Sequence, residues 1–175
     1  MLKTLFYGFI VRPILLIILG FNARHMDRLK PRGAHLIAAN HNSHLDALVL
    51  MSLFKLSDQP KVKVVAAKDY FCRTPFMAWF SVNVIGVIPI DRTGGDDNPT
   101  QPIIDALKQD YTVIIFPEGS RGNPEERAPL KYGITKVLEA MPETEITPVY
   151  MHGLGKALPR GEMLLVPFVC EINIG

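Results

Sequence analysis

Cysteine is almost missing from this chain, with only Cys72 and Cys170 among 175 residues. Two thiols in apolar surroundings make no disulfide framework, and they read as reduced core residues rather than nucleophiles. No second Cys/His cluster is present to complete a structural metal site. Repeats, low-complexity tracts and an interdomain linker are also lacking. The length therefore suits one domain, and 48% hydrophobic residues can supply its core. No uncharged run reaches the ~20 residues of a bilayer span. Residues 4–11 and 13–23 carry no charge, but Arg12 divides them. A secretory signal would need a small-residue cleavage site next, and Asn22-Ala23-Arg24-His25-Met26 is a poor one.

Charge is small in sum and uneven in place. Residues 1–32 hold Lys3, Arg12, Arg24, Arg28, Lys30 and Arg32 against Asp27, a net +5. With +2 overall, the remainder carries −3. A basic, apolar start on a weakly acidic body points to anionic lipid and away from nucleic acid. Residues 1–30 are expected to be a membrane-associating segment, its apolar stretches a helix kinked or broken near Pro13 that lies in the interface or dips into one leaflet with its cations at the headgroups. A true span and a helix packed on the domain's own core stay open beside it. Residues 31–175 form the folded domain.

Against these absences stands Asn40-His41-Asn42-Ser43-His44-Leu45-Asp46, just after the apolar Leu36-Ile37-Ala38-Ala39. A histidine acting as base needs a carboxylate that fixes its tautomer and stabilises the imidazolium. On a regular helix, positions five apart lie about 140° from each other. His41 and Asp46 therefore meet only across a strand-to-helix turn. Ser43 with Asp46 also fits a capping box for the helix that follows, and Asp46 can serve both ends. Metal binding by His41, His44 and Asp46 is a weaker reading.

A second block, Phe116-Pro117-Glu118-Gly119-Ser120-Arg121, follows the β-rich Tyr111-Thr112-Val113-Ile114-Ile115. It sets charge and a flexible backbone at a strand's carboxyl end, where open α/β sheets bind ligands. Gly119 lets backbone approach a ligand, and Arg121 offers a donor fork suited to phosphate. A polar loop with a surface ion pair remains the bland alternative. A third block, Gly86-Val87-Ile88-Pro89-Ile90-Asp91-Arg92, again ends an apolar run on an arginine.

In this order the blocks resemble the glycerolipid acyltransferase family typified by bacterial 1-acylglycerol-3-phosphate acyltransferases. Asn40, His41, Ser43 and Asp46 match its Asn-His-x-Ser-x-x-Asp; Gly86 and Arg92 match its Gly–apolar–Arg step. Phe116 to Arg121 match its Phe-Pro-Glu-Gly-Thr-Arg with Ser120 for Thr, and Thr147-Pro148-Val149-Tyr150 fits its proline-bearing strand. The resemblance spans about residues 33–150. Pro89 stands where many members carry Phe, which bears on acceptor preference.

The resemblance implies transfer of an acyl group from a thioester to the free hydroxyl of a lysophospholipid, foremost 1-acylglycerol 3-phosphate. His41 would be the general base and Asp46 its orienting carboxylate. Lys68, Arg92, Glu118, Gly119 and Arg121 would bind the acceptor, the cations facing phosphate. Lys68 also reads as a solvated strand-end charge, and Lys131 with Gly133 as a structural helix start. Acyl-CoA or acyl carrier protein would be the donor; no metal or bound cofactor is implied, and the setting would be the cytoplasmic face of the cell membrane. Other headgroups and glycerol 3-phosphate remain alternative acceptors. A hydrolase using Ser43 or Ser120 lacks the Gly-x-Ser-x-Gly setting. A catalytically silent phospholipid-binding module also stays open. His25, His35 and His152 have no carboxylate placed to activate them.

Strands are expected near 34–39, 61–67, 86–91, 112–116, 145–150 and 163–172, and helices near 44–56, 70–82, 100–109 and 132–140. That alternation predicts an α/β domain with a largely parallel or mixed sheet flanked by helices. Residues 168–175 end on a strand, beyond which the family continues into further helix; a fragment, a minimal form and a trimmed chain all fit.

Overall fold

Leu36 and Ile37 point to opposite faces of one strand, and both are fully buried. Only a strand covered on both sides allows that, and it is the signature of a parallel sheet with helices on each face. The computed structural model describes residues 1–29, 31, 33–91, 98–123, 126, 128–158 and 166–175. Among them, seven strands form one sheet: β1 (Gly20–Arg24), β2 (His35–Ala39), β3 (Val62–Ala67), β4 (Val87–Ile90), β5 (Thr112–Ile115), β6 (Glu145–His152) and β7 (Val169–Ile174). Their order across the sheet is β1-β7-β6-β2-β5-β3-β4. Every pairing is parallel except β6 with β7. The expected mixed α/β architecture is what the chain adopts.

One face is covered by α1 (Leu2–Phe6), a π-helical stretch (Tyr7–Val11), α2 (Arg12–Ile18) and α3 (Asp46–Leu53). After the short α4 (Lys68–Phe71) and α5 (Pro75–Phe80), the opposite face is covered by α6 (Gln101–Lys108) and α7 (Gly133–Ala140). A one-turn α8 (Leu154–Ala157) follows β6. Because β2, β3, β4 and β5 run parallel, their carboxyl ends open on one edge, and the loops leaving Ala39, Ala67, Ile90 and Ile115 gather there.

The amino-terminal helix departs from expectation in two ways. It continues through Pro13 without a break, and its inner face packs on the core. Lys3, Tyr7, Val11, Leu15 and Leu19 are all buried. A four-residue repeat runs ahead of the 3.6-residue α turn, and the wider π-helical turn absorbs the difference, keeping the stripe facing inward. The other face stays apolar and exposed, with Phe9 78% and Ile17 83% accessible. The charge that interrupts the run has a local purpose. Arg12 donates Nε to the Ser52 carbonyl at 3.0 Å and Nη2 to that of Phe54, capping the carboxyl end of α3.

Three further corrections follow from pairing and capping. Residues 20–24 were expected to prolong the helix, but Leu19 turns extended (φ −114°, ψ 127°) and β1 pairs with β7. The helix expected over 70–82 divides because Pro75 holds Thr74 extended (φ −130°, ψ 157°); Thr74 then caps α5 by accepting from the Met77 amide. The last strand begins at Val169 rather than near 163, and residues 159–165 lie outside the described residues.

Lys3 fastens this helix to the sheet. Its amine donates to the Val62 carbonyl, and its side chain lies against Gly86, whose φ of +91° favours glycine. Burial, helped by the nearby Lys63 charge, pushes the Lys3 amine down to about 7 from 10.5. Between those two values the unfolded chain holds a proton that the folded chain has released, so this group makes stability rise with pH across that window. Thermal unfolding of the wild type should show this rise, and Lys3→Met should flatten it. Parallel curves for the two proteins would contradict the burial of the ammonium.

Candidate active site

The loop after β2 is built by its own polar side chains. Asn40 takes the Met151 amide on Oδ1 at 2.7 Å and gives Nδ2 to the Met151 carbonyl at 2.8 Å, extending the β2–β6 ladder by one side-chain rung. The chain then turns so that one oxygen of Asp46 meets three donors. Asp46 Oδ2 accepts from the Asn42 amide at 2.7 Å and the Ser43 amide at 2.8 Å, and lies 2.9 Å from His41 Nδ1. The five-residue spacing is thus closed by a turn at the amino end of α3, as the sequence demanded. The capping box is half formed. Asp46 reaches back to the Ser43 amide, but the Ser43 hydroxyl takes the Leu45 amide at 3.2 Å and donates to the Leu158 carbonyl at 3.0 Å.

Asp46 is sealed and His41 is reachable, at 2% and 20% side-chain exposure. A carboxylate with three donors holds the proton on Nδ1, which leaves the Nε2 lone pair as a base. The imidazole stacks on Phe116, with centroids 4.1 Å apart and planes 17° from parallel, so its orientation is fixed from the side as well. The loop after β5 grips the same backbone. Gly122 N–H donates to the His41 carbonyl at 2.9 Å, and the His41 amide faces Glu118 Oε1 at 3.4 Å. Asn42 Nδ2 donates to the Asn123 and Glu126 carbonyls at 2.6 and 2.9 Å.

The predicted binding residues fall into three groups. Arg121 reaches the centre, where its guanidinium meets His44 and lies 5.8 Å from the Tyr70 ring centroid. Glu118 stands behind His41 and is buried, which pushes its carboxyl above the usual range against the opposing pull of the His41 amide. Its Oε2 has no hydrogen-bond partner among the described residues. Gly119, at φ +73°, has its Cβ side filled by the Lys131 stem. Lys68 is exposed at the start of α4. Arg92 lies outside the described residues. Among the described residues, no group of three or more His, Cys, Asp or Glu is placed to hold a metal ion.

His41 opens on a cavity of about 510 Å³ between α3, β3, β4 and β5. Its lining is largely apolar, with Leu48, Val64, Phe71, Ile85, Val87 and Ile103, and includes the polar His44, Ser120, Arg121 and Lys131. A base on the wall of a cavity with both apolar and cationic lining suits a ligand with a hydrocarbon part and a charged part. Sequence reasoning missed Asn42, Tyr70 and the placement of His44. Only His44 had a signal, its three-residue spacing from His41, and that was weighed for metal alone.

The sequence profile of the Acyltransferase family matches residues 20–152. The chain is 28% identical over 125 residues to the chloroplastic 1-acyl-sn-glycerol-3-phosphate acyltransferase LPAT1 of Arabidopsis thaliana, covering 70% of this chain and 33% of that protein. It is 26% identical to the chloroplastic enzyme BAT2 of Brassica napus, with 70% and 34% covered. It thus spans about a third of the length of these relatives. In fold it resembles the 1-acyl-sn-glycerophosphate acyltransferase PlsC of Thermotoga maritima, with a TM-score of 0.74 at 16% identity, over 94% of this chain and 64% of that one.

The turn itself can be tested by stability. Asp46→Ala leaves two backbone amides and one imidazole N–H without their acceptor and should lower the unfolding free energy by about 2–4 kcal/mol. Asp46→Asn keeps an acceptor oxygen and should lose less. Urea titration would measure both, and a wild-type midpoint for Asp46→Ala would refute the role assigned to this carboxylate.

Proposed function

The chain belongs to the acyltransferase family, and from that premise we propose that it transfers a fatty acyl group from a thioester to the free hydroxyl of a lysophospholipid. The acceptor we favour is 1-acylglycerol 3-phosphate, giving phosphatidic acid, with acyl-CoA or acyl carrier protein as the donor. The observation that carries this reading is the 2.9 Å contact between His41 Nδ1 and Asp46, with His41 on the wall of a largely apolar cavity.

In this mechanism His41 Nε2 takes the proton of the acceptor hydroxyl as its oxygen attacks the thioester carbonyl. The tetrahedral oxyanion collapses, the new C–O ester bond is kept, the C–S bond breaks, and the imidazolium returns its proton to the sulfur. A thiol with pKa near 8–9 leaves with little assistance. General-base help supplies about 10²–10⁴ in rate, and positioning in the cavity adds to it. Asp46 holds the tautomer and stabilises the imidazolium. Glu118 fixes the His41 backbone, while Arg121, Arg92 and Lys68 bind the acceptor phosphate. No metal or bound cofactor takes part.

The same reading puts the domain on the cytoplasmic face of a cell membrane. Among the described residues no helix is long and apolar enough to cross a bilayer. The exposed apolar face of α1 and α2, followed by the exposed Arg24 and Arg28, suits the interface, while Lys3 and Arg12 face the domain instead of the headgroups.

Thiol release from acyl-CoA should depend on added 1-acylglycerol 3-phosphate and should vanish in His41→Ala. Release without acceptor would indicate a thioesterase, and retention in His41→Ala would refute the base. Separately, Phe9→Ser with Ile17→Ser, which leaves the charge unchanged, should weaken binding to anionic vesicles at least about tenfold, since two side chains lose apolar burial. Undiminished sedimentation with vesicles would remove the helix from the membrane contact.

A further inference from the structure

Residues 74–90 are the longest uncharged run in the chain, and the mechanism gives their first half no task. α5 and the π-helical stretch that continues it, Ser81–Ile85, turn Ser81 and Val84 inward and leave Phe76, Met77, Trp79 and Val82 outside. Phe76 is 70% and Trp79 50% accessible. Phe76 stacks on both Trp79 and Phe80, with centroids 6.3 and 6.2 Å apart, so the rings form one plate. A contiguous exposed apolar patch of this kind marks an interaction site. The patch is not isolated. Phe80 meets Phe6 edge to face at 5.6 Å, and the Tyr7 hydroxyl donates to the Ile85 carbonyl at 3.2 Å. The plate thereby continues the bare face of α1, where Leu2, Leu5 and Phe9 are exposed.

The polar groups of the segment say what covers it. The Thr74 hydroxyl accepts from the Met77 amide at 3.2 Å, and Ser81 Oγ donates to the Phe71 carbonyl at 3.1 Å. Asn83 Nδ2 donates to the Trp79 carbonyl at 2.8 Å, although Asn83 is exposed. Every hydroxyl and amide side chain between 74 and 85 is thus turned onto the backbone. Water makes no such demand, whereas hydrocarbon does. Charge agrees. Residues 70–90 hold one charged side chain, the exposed Arg73 just before α5, and no acid. Resting on the membrane placement above, we propose that α5 is a second element of the membrane contact. Phe76 and Trp79 enter the interface of an anionic bilayer beside α1, with Arg73 at the headgroups. Phe71 and Ile85, on either side of α5, line the cavity of His41. The contact therefore sets a segment that supplies cavity wall against the layer in which a lipid acceptor resides.

Trp79 is the only tryptophan in the chain, so its fluorescence reports on α5 alone. The test adds vesicles of phosphatidylcholine and phosphatidylglycerol in equal parts and needs no turnover. Trp79 emission should shift to the blue, and phospholipids brominated along their acyl chains should quench it. Phe76→Ser, a change at an exposed position that leaves the charge untouched, should weaken sedimentation with the vesicles about fivefold. Sedimentation of the wild type with Trp79 neither shifted nor quenched would overturn the proposal and leave the contact to α1 and α2. A blue shift that grows with protein concentration in the absence of lipid would also overturn it, assigning the patch to a second copy of the chain. Failure of the wild type to sediment at all would defeat the membrane placement itself, and this proposal with it.

Discussion

One carboxylate oxygen organises the site. Asp46 Oδ2 takes two backbone amides and one imidazole N–H within 2.9 Å, in a position with almost no solvent. A buried charge survives only with such partners, and each partner is thereby placed. The amides of Asn42 and Ser43 define the turn, and the imidazole receives its tautomer. Because Asp46 is also the first residue of α3, the base is aimed by a helix end and not by a free loop. Structure and chemistry draw on the same three hydrogen bonds.

Around that point the loops of separate strands are sewn together by main-chain contacts. Asn40 joins the end of β2 to β6, Asn42 joins it to residues 123 and 126, and Gly122 closes on the His41 carbonyl. None of these partners is close in sequence; the parallel register alone brings them to one edge. The apolar cavity beginning at His41 is the gap left between that edge and α3. Its lining combines hydrocarbon with a few polar and cationic side chains, so a ligand with both kinds of group is oriented as well as held.

Much of this was legible because it is local or periodic. The inner strands stood out as short β-branched runs, and the His41–Asp46 spacing demanded a turn. What escaped depends on contacts between distant segments. Gly20-Phe21-Asn22-Ala23-Arg24 has weak strand character and becomes β1 through pairing with β7. Arg12 looked like an interruption in an apolar run, because the carbonyls it caps lie forty residues away in sequence. Lys68 matched its motif position, yet it sits exposed at a strand end. Asn42 and Tyr70 fell at positions with no pattern to mark them. The helix over 70–82 was misjudged for a local reason, since Pro75 announces a boundary that apolar content had obscured.

The cap that Arg12 supplies ties the amino-terminal helix to the helix that carries Asp46. The residue ending α3 on its carboxyl side belongs to the helix whose outer face is bare, and the residue opening α3 on its amino side orients the base. Trimming residues 1–18 to obtain a more soluble enzyme would therefore not detach a passive anchor. It would uncap the helix carrying Asp46, strip the cover from Tyr7's side of the core and leave Gly86 without the lysine packed over it. In this chain the amino-terminal helix and the turn that holds His41 against Asp46 are two ends of one packed unit, so a change in either is felt by both.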